Sequence, residues 1–255
     1  MHFIDTHTHL YDEAFTGEED LIVVRAVEAG VTRMVLPDID SQTREAMLSL
    51  ADRHEGTLFP CIGLHPKSVN AGWQSEMLQV EKHLDRKIYA IGEIGMDCYW
   101  SKEFIREQQA ALKLQLELAD KLSLPVIIHS RDSTELIINV LKECRQLSLR
   151  GVFHAFSGSV ETFRELQKLG DWYIGIGGVL TYKKASIAET VKEIPLERIL
   201  LETDSPYLTP VPFRGKRNES AYIPHIAARL AEQKGRDIAE IAEVTTENAR
   251  KLFRI

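Results

Sequence analysis

Residues 124–130 read LPVIIHS, an apolar run with no polar residue alternating through it and a histidine, His129, at its exit. A strand with one face in water alternates polar and apolar side chains. A continuous run suits a strand covered on both faces, as in a parallel sheet. Seven other stretches have the same character: FID (3–5), VTRMVLP (31–37), LFPCIGLH (58–65), IYAIGEIG (88–95), GVFHAF (151–156), WYIGIGG (172–178) and RILLETD (198–204). Segments with helical spacing separate them. In REQQAALKLQLELADKL (106–122), Ala110, Leu114, Leu118 and Leu122 recur every four residues, a helical spacing. VETFRELQKLG (160–170) reads as a helix stopped by Gly170 at C′. Asp237-Ile238-Ala239-Glu240 opens a last helix that should run toward Phe253. Eight strands alternating with helices predict a (β/α)8 barrel of the TIM type, a single domain over residues 1–255. A doubly wound open sheet is the rival architecture, which the strand count alone does not exclude.

The bulk composition is that of a globular chain, with 255 residues, 44% hydrophobic and 27% charged. A formal charge of −7 does not suit a protein that coats nucleic acid by bulk electrostatics. It leaves room for a nucleic-acid substrate, because bound cations reverse the local field. Cys61, Cys98 and Cys144 are odd in number and far apart, so a reducing compartment is expected. The acidic first twenty residues are no secretory leader, and no apolar run approaches a membrane span. The expected location is the cytoplasm, with no obligate protein partner.

The polar residues at the strand exits carry the chemistry. His7 and His9 follow the first strand, one residue apart, so in extended backbone their rings point to one side. His65 ends the third run, Glu93 the fourth, His129 the fifth, and Asp204 the eighth, with His154 near the end of the sixth. In a barrel these exits share the C-terminal rim, where active sites sit. Imidazole with carboxylate suits zinc, iron or manganese, and admits magnesium. One carboxylate such as Glu93 can bridge two cations, and a pair of cations can clamp the two oxygens of a displacement at phosphorus. The chemistry implied is hydrolysis. There is no GxxxxGK(S/T) and no dinucleotide-binding glycine pattern, and GIGG (175–178) reads as close packing or a tight turn.

In order along the chain, IDTHTHL (4–10), GLHP (63–66), GEIGMD (92–97), LPVIIHSRD (124–132), GVFHAFSGS (151–159), LLETDSPYLTP (200–210), RGKRNE (214–219) and TTENARKLF (245–253) resemble the TatD-like family of metal-dependent deoxyribonucleases, a branch of the amidohydrolase-type barrels. The resemblance implies a two-metal site of Mg2+, Mn2+ or Zn2+, and DNA as substrate, single-stranded or at 3′ ends, attacked as by a 3′–5′ exonuclease. It implies that His7, His9, Glu93 and Asp204 hold one cation, and that Glu93, His129 and His154 hold the other. Asp204 would orient or deprotonate the attacking water, and Glu93 and Asp204 are the expected catalytic pair. Glu93 stands where related branches use a carboxylated lysine. Two residues depart from the family pattern: Ala155 replaces a cysteine, and Ser220 replaces a proline and is expected to loosen the turn into the final helices.

His65 and Arg131 sit where they would meet a phosphate, for which a guanidinium is geometrically suited. The alternative for Arg131 is a salt bridge to Asp132 or another neighbour. Arg214, Lys216 and Arg217 form a basic cluster that would guide a backbone inward, or else a solvated loop. Tyr99 and Trp100 are placed to stack on a base, or else to pack on the rim. Glu202 shares a strand face with Asp204 and is a candidate partner of the ligands. Two other functions compete with the nuclease: hydrolysis of an amide, lactone or phosphotriester, and metal binding without catalysis.

Overall fold

The continuous apolar runs form strands buried along almost their whole length. The structure is a computed structural model that describes residues 1–255. In chain order the elements are β1 (Phe3–Asp5), α1 (Glu19–Glu28), β2 (Val31–Leu36), α2 (Arg44–Arg53), β3 (Leu58–Pro60), α3 (Trp73–Glu81), β4 (Ile91–Asp97), α4 (Ile105–Leu122) and β5 (Val126–Arg131). There follow α5 (Thr134–Glu143), β6 (Arg150–Phe153), α6 (Val160–Leu166), β7 (Asp171–Ile176), α7 (Ile187–Glu193), β8 (Ile199–Leu201), α8 (Ile223–Lys234) and α9 (Ile238–Phe253).

Parallel ladders run β1-β2-β3 and β4-β5-β6-β7-β8. Two seams join them. Between β3 and β4, Ile62 pairs with Ile91, and Gly92 N donates to Ile62 O at 2.9 Å. Between β8 and β1, Thr8 pairs with Ser205, Thr6 N donates to Leu201 O at 3.0 Å, and Asp204 N donates to His7 O at 2.9 Å. The sheet therefore closes on itself, and the open-sheet alternative is excluded. No helix is long and apolar enough to cross a membrane, and the three cysteines are free and buried.

The barrel interior holds its own apolar layer, separate from the larger core under the helices. Ile4, Val35, Phe59 and Ala90 contribute to it from the first four strands or the residues beside them; Ile127, Val152, Tyr173 and Leu200 do so from the last four. Ala249, Leu252 and Phe253 of α9 close the end opposite the rim. Side chains alternate along a strand, so the next inward position after Ile127 is His129, after Val152 it is His154, and after Leu200 it is Glu202, then Asp204. The polar centre is thus the layer directly above an apolar floor.

Most strands end earlier or start later than their apolar runs, β3, β4 and β8 most of all. β3 stops at Pro60 because the chain then turns inward toward His65, whose Nδ1 accepts from Lys67 N at 3.0 Å in a short 3-10 turn begun by Pro66. β8 stops at Leu201, and β4 is shifted forward to Ile91–Asp97. The buried face of α4 does not follow the repeat of four. It is Gln108, Ala111, Leu112, Gln115, Leu116 and Ala119, while Leu114 is 39% exposed. A strict repeat of four drifts around a helix of 3.6 residues per turn, and the two buried glutamines are chosen for backbone hydrogen bonding. Gln115 accepts from Leu64 N at 2.7 Å and donates to Leu64 O at 3.3 Å; Gln108 accepts from Asp97 N at 2.9 Å and donates to Asp97 O at 3.2 Å.

Gly170 is not the C′ stop of α6, which ends at Leu166. A Cβ there would lie 2.7 Å from Trp172 Nε1, so the glycine serves close packing. In GIGG the packing reading holds, since a Cβ on Gly175 would lie 1.9 Å from Glu202 Oε2. Asp237 does open α9, its carboxylate accepting from Ala239 N at 2.7 Å.

Candidate metal centre

Glu93 stands at the middle of the rim, 2% exposed, with its two oxygens turned to different neighbours. Oε2 lies 3.2 Å from His7 Nε2 and 3.6 Å from His9 Nε2. Oε1 lies 2.8 Å from His129 Nδ1, 2.8 Å from His154 Nε2 and 3.2 Å from His65 Nε2. Asp204 Oδ1 completes the first group, 3.6 Å from His7 Nε2 and 3.5 Å from His9 Nε2. All six residues expected to ligate metal therefore converge. Asp204 adopts a left-handed backbone, φ 55°, which a short polar side chain tolerates and which ends the strand direction at that residue.

For His9 and His129, a hydrogen bond at the far side of the ring fixes which nitrogen is bare. Tyr11 donates its hydroxyl proton to Pro37 O, so its oxygen accepts from His9 Nδ1 at 3.0 Å. The neutral His9 ring then has a lone pair on Nε2, aimed at two carboxylates. Likewise His129 donates Nε2–H to Asp97 Oδ2 at 3.0 Å, which leaves Nδ1 bare in the neutral ring, facing Glu93 Oε1 and, at 3.2 Å, His154 Nε2. Lone pairs facing carboxylate oxygens repel unless a proton or a cation lies between them. The donor set therefore fits divalent metal held against Glu93, with Asp97 and Tyr11 orienting ligands from behind.

His65 differs. Its Nδ1 accepts from Lys67 N, so Nε2 carries the hydrogen and donates toward Glu93 Oε1. It is a hydrogen-bond donor to the centre, not a bare nitrogen.

The electrostatics follow from burial against this cluster. Burial alone would raise the Glu93 carboxyl, but its histidine neighbours, His154 foremost, hold it well below the usual range. Burial would lower His154, yet the Glu93 carboxylate outweighs it and pushes the ring up to about 10. Burial, and then the charge of His154, takes His7 down to about 4. Glu202 is lifted to about 8 by burial, against the pull of His154 and of the Ala155 N–H that it accepts.

Several residues that sequence reasoning left without a role support the rim. Asp5 accepts from Thr203 N at 3.0 Å, from Thr203 Oγ1 at 2.6 Å and from His7 N at 3.2 Å, which clamps the exit of β1 to that of β8. Asn218 donates to Thr203 O at 2.8 Å and to Tyr207 O at 2.6 Å, bracing the loop that carries Asp204. Asp38 pairs with buried Arg44 at 2.7 Å, and its backbone carbonyl accepts from Glu93 N at 3.0 Å. The signal for Asp97 was available: four residues after Glu93 on one strand, it shares that residue's face.

Ser220 does not loosen its turn. It is fully buried and donates to Thr8 Oγ1 at 3.3 Å, in a chain that continues to Ser205 Oγ. Glu202 lies beneath His154, 3.9 Å from Nδ1 and beyond hydrogen-bond distance, and accepts from Ala155 N instead. The basic cluster divides. Arg217 pairs with Glu18 at 2.8 Å and lies over the Phe15 ring, so it is a structural residue, whereas Arg214 lies 4.2 Å over the Tyr182 ring. Arg131 has no carboxylate partner and lies 3.8 Å over the Tyr99 ring.

A family model described as TatD related DNase matches residues 4–254. The chain belongs to the TatD family. As a TatD-family protein it is a metal-dependent hydrolase of ester bonds. It is 39% identical over 253 residues to the uncharacterized metal-dependent hydrolase YabD of Bacillus subtilis (strain 168), covering 98% of each chain. It is 32% identical over 257 residues to the 3′–5′ ssDNA/RNA exonuclease TatD of Pantoea ananatis (strain LMG 20103), again covering 98% of each. Among solved structures, the TatD homolog YjjV of Escherichia coli K12 superposes with a TM-score of 0.90 at 32% identity, covering 99% of this chain and 98% of that one.

Proposed function

We propose that this TatD-family chain is a two-metal phosphodiesterase that trims single-stranded DNA from its 3′ ends. The observation that carries the reading is the division of Glu93, with one oxygen toward His7, His9 and Asp204 and the other toward His129 and His154. These residues would hold two cations of Mg2+, Mn2+ or Zn2+. Bound there, the cations would polarise a phosphoryl oxygen and acidify water at neutral pH.

The chain's own groups supply the rest. The Asp204 side chain, 16% exposed, is among the most open of the set and is the carboxylate that accepts the proton of the attacking water. Burial would raise it, but the neighbouring rings of His9, His7 and His154 keep it below its ordinary value, so it is ionised and can accept. His65 offers Nε2–H to a phosphoryl oxygen, and Arg131 offers an unpaired guanidinium.

The preference for a single strand draws on the β4–β5 rim. Tyr99 and Trp100 are 54% and 63% exposed, so they do not pack away as rim filler. Arg131 and Lys67 lie over them, with Lys67 Nζ 5.4 Å from the centre of the Trp100 ring. Exposed aromatic faces with interleaved cations suit unpaired bases and their phosphates. The name of the Pantoea relative supports the same polarity and strand.

The test is a 5′-labelled single-stranded oligomer incubated with wild type and Asp204→Asn after chelation and re-addition of each cation. A ladder shrinking from the 3′ end, restored by a cation and absent in the variant, is expected. No cleavage with any cation, in protein that binds metal, would overturn the reading.

A further inference from the structure

A second recess adjoins the centre on the side opposite Tyr99 and Trp100. It is a cavity of about 580 Å3, within the range of about 300–1,000 Å3 typical of small-molecule sites. Asp204 and Glu202 belong to its lining, so it opens onto the reacting centre. Ile176, Val179, Leu180 and Leu208 give it apolar walls. Glu202 brings a carboxyl that is 1% exposed and whose Oε2 has no hydrogen-bond partner.

Lys183, Lys184 and Arg214 also line it, and all three are exposed to solvent. None of them forms an ion pair, in a chain of formal charge −7. Arg214 is held over the Tyr182 ring instead. Three unpaired cations beside an apolar slot, with one unpartnered oxygen of a buried carboxyl within, describe a ligand with a flat apolar body, a polar edge and an anionic group.

We infer that this cavity receives the terminal nucleoside of the strand, its base between the apolar walls and its phosphate between the three cations and the metal centre. The inference rests on the phosphodiesterase reading above and adds a reason for trimming from an end: a strand laid across Tyr99, Trp100 and the centre runs into a recess that accommodates one residue.

The probe is dAMP, titrated calorimetrically into the full chain with Mn2+ present, beside adenosine. Val179→Trp fills the slot and is expected to weaken dAMP at least about tenfold with metal content unchanged. Arg214→Glu, a surface change that leaves the core intact, is expected to weaken dAMP about tenfold and to leave adenosine binding as it was. Equal dAMP affinity in wild type and both variants, or no binding by wild type, would overturn the inference. The oligomer assay separates this from failure of the phosphodiesterase reading. Trimming at wild-type rate by both variants removes the cavity and keeps the nuclease. Slot-dependent dAMP binding without DNA cleavage by wild type keeps the cavity and removes the nuclease.

Discussion

Asp97 sets the proton on His129: its Oδ2 lies 3.0 Å from Nε2, which leaves Nδ1 to face Glu93 at 2.8 Å. Asp97→Ala removes that orientation and also frees the Tyr99 and Trp100 amides that Oδ1 accepts. Loss of such a supporting carboxylate typically costs about 10–100-fold in metal affinity. Competition against a fluorescent chelator should show a loss of that size, and an unchanged affinity would mean that His129 is held by packing alone.

Metal loading should release protons and strengthen with pH. In the metal-free protein burial pulls His154 down, but Glu93 prevails and lifts it to about 10. The raised value contributes stability that is full below the unfolded value near 6.5 and is lost as pH rises toward 10. A cation must displace that proton. The thermal shift produced by Mn2+ should therefore be larger at about pH 8.5 than at about pH 6.5. A shift independent of pH would show that no ligand is protonated before binding.

Arg44 is 1% exposed and its partner Asp38 is fully buried, so the two cannot be separated cheaply. Arg44→Leu leaves a carboxylate without its cation beside the backbone that carries Glu93, and should destabilise the fold by about 3–5 kcal/mol. At this chain length that is a fall of roughly 6–20 °C in Tm. The double variant Arg44→Leu, Asp38→Asn should recover part of it, and calorimetric unfolding measures both.

Trp100→Ala should weaken binding of a single-stranded oligomer by about 1–3 kcal/mol per lost base contact, with Tm unchanged because the ring is 63% exposed. Fluorescence anisotropy, with Asp204→Asn as background to prevent turnover, measures it. Equal binding would return Trp100 to the status of a solvent-facing rim residue.

The barrel and its six central residues were legible because both are written in short-range pattern. Continuous runs such as VII at 126–128 mark strands covered on both faces, and the inward period of two then carries His129 and His154 to the same height. What escaped was held by partners far away in sequence. Gln108 and Gln115 carry no mark of burial in the sequence, and their partners are the backbone of Asp97 and Leu64. The unpartnered guanidinium of Arg214 and the paired one of Arg217 stand three residues apart, and nothing local tells them apart. Ser220 looked like a weakened turn because its receptor, Thr8, lies 212 residues earlier.

The clamp of Asp5 on Thr203 joins residues 198 apart, and it lies directly below His7 and Asp204. One half of the proposed centre, His7 and His9 with Asp204, therefore joins the first and the last strands to be synthesised, on either side of the seam. Bringing such distant ends together carries the largest ordering cost in the chain. A cation spanning His7, His9 and Asp204 would act as a rivet across that seam, and no arc of the ring that had yet to close would offer it a complete set of ligands. Uptake of that cation during refolding should thus mark the moment of ring closure and come late.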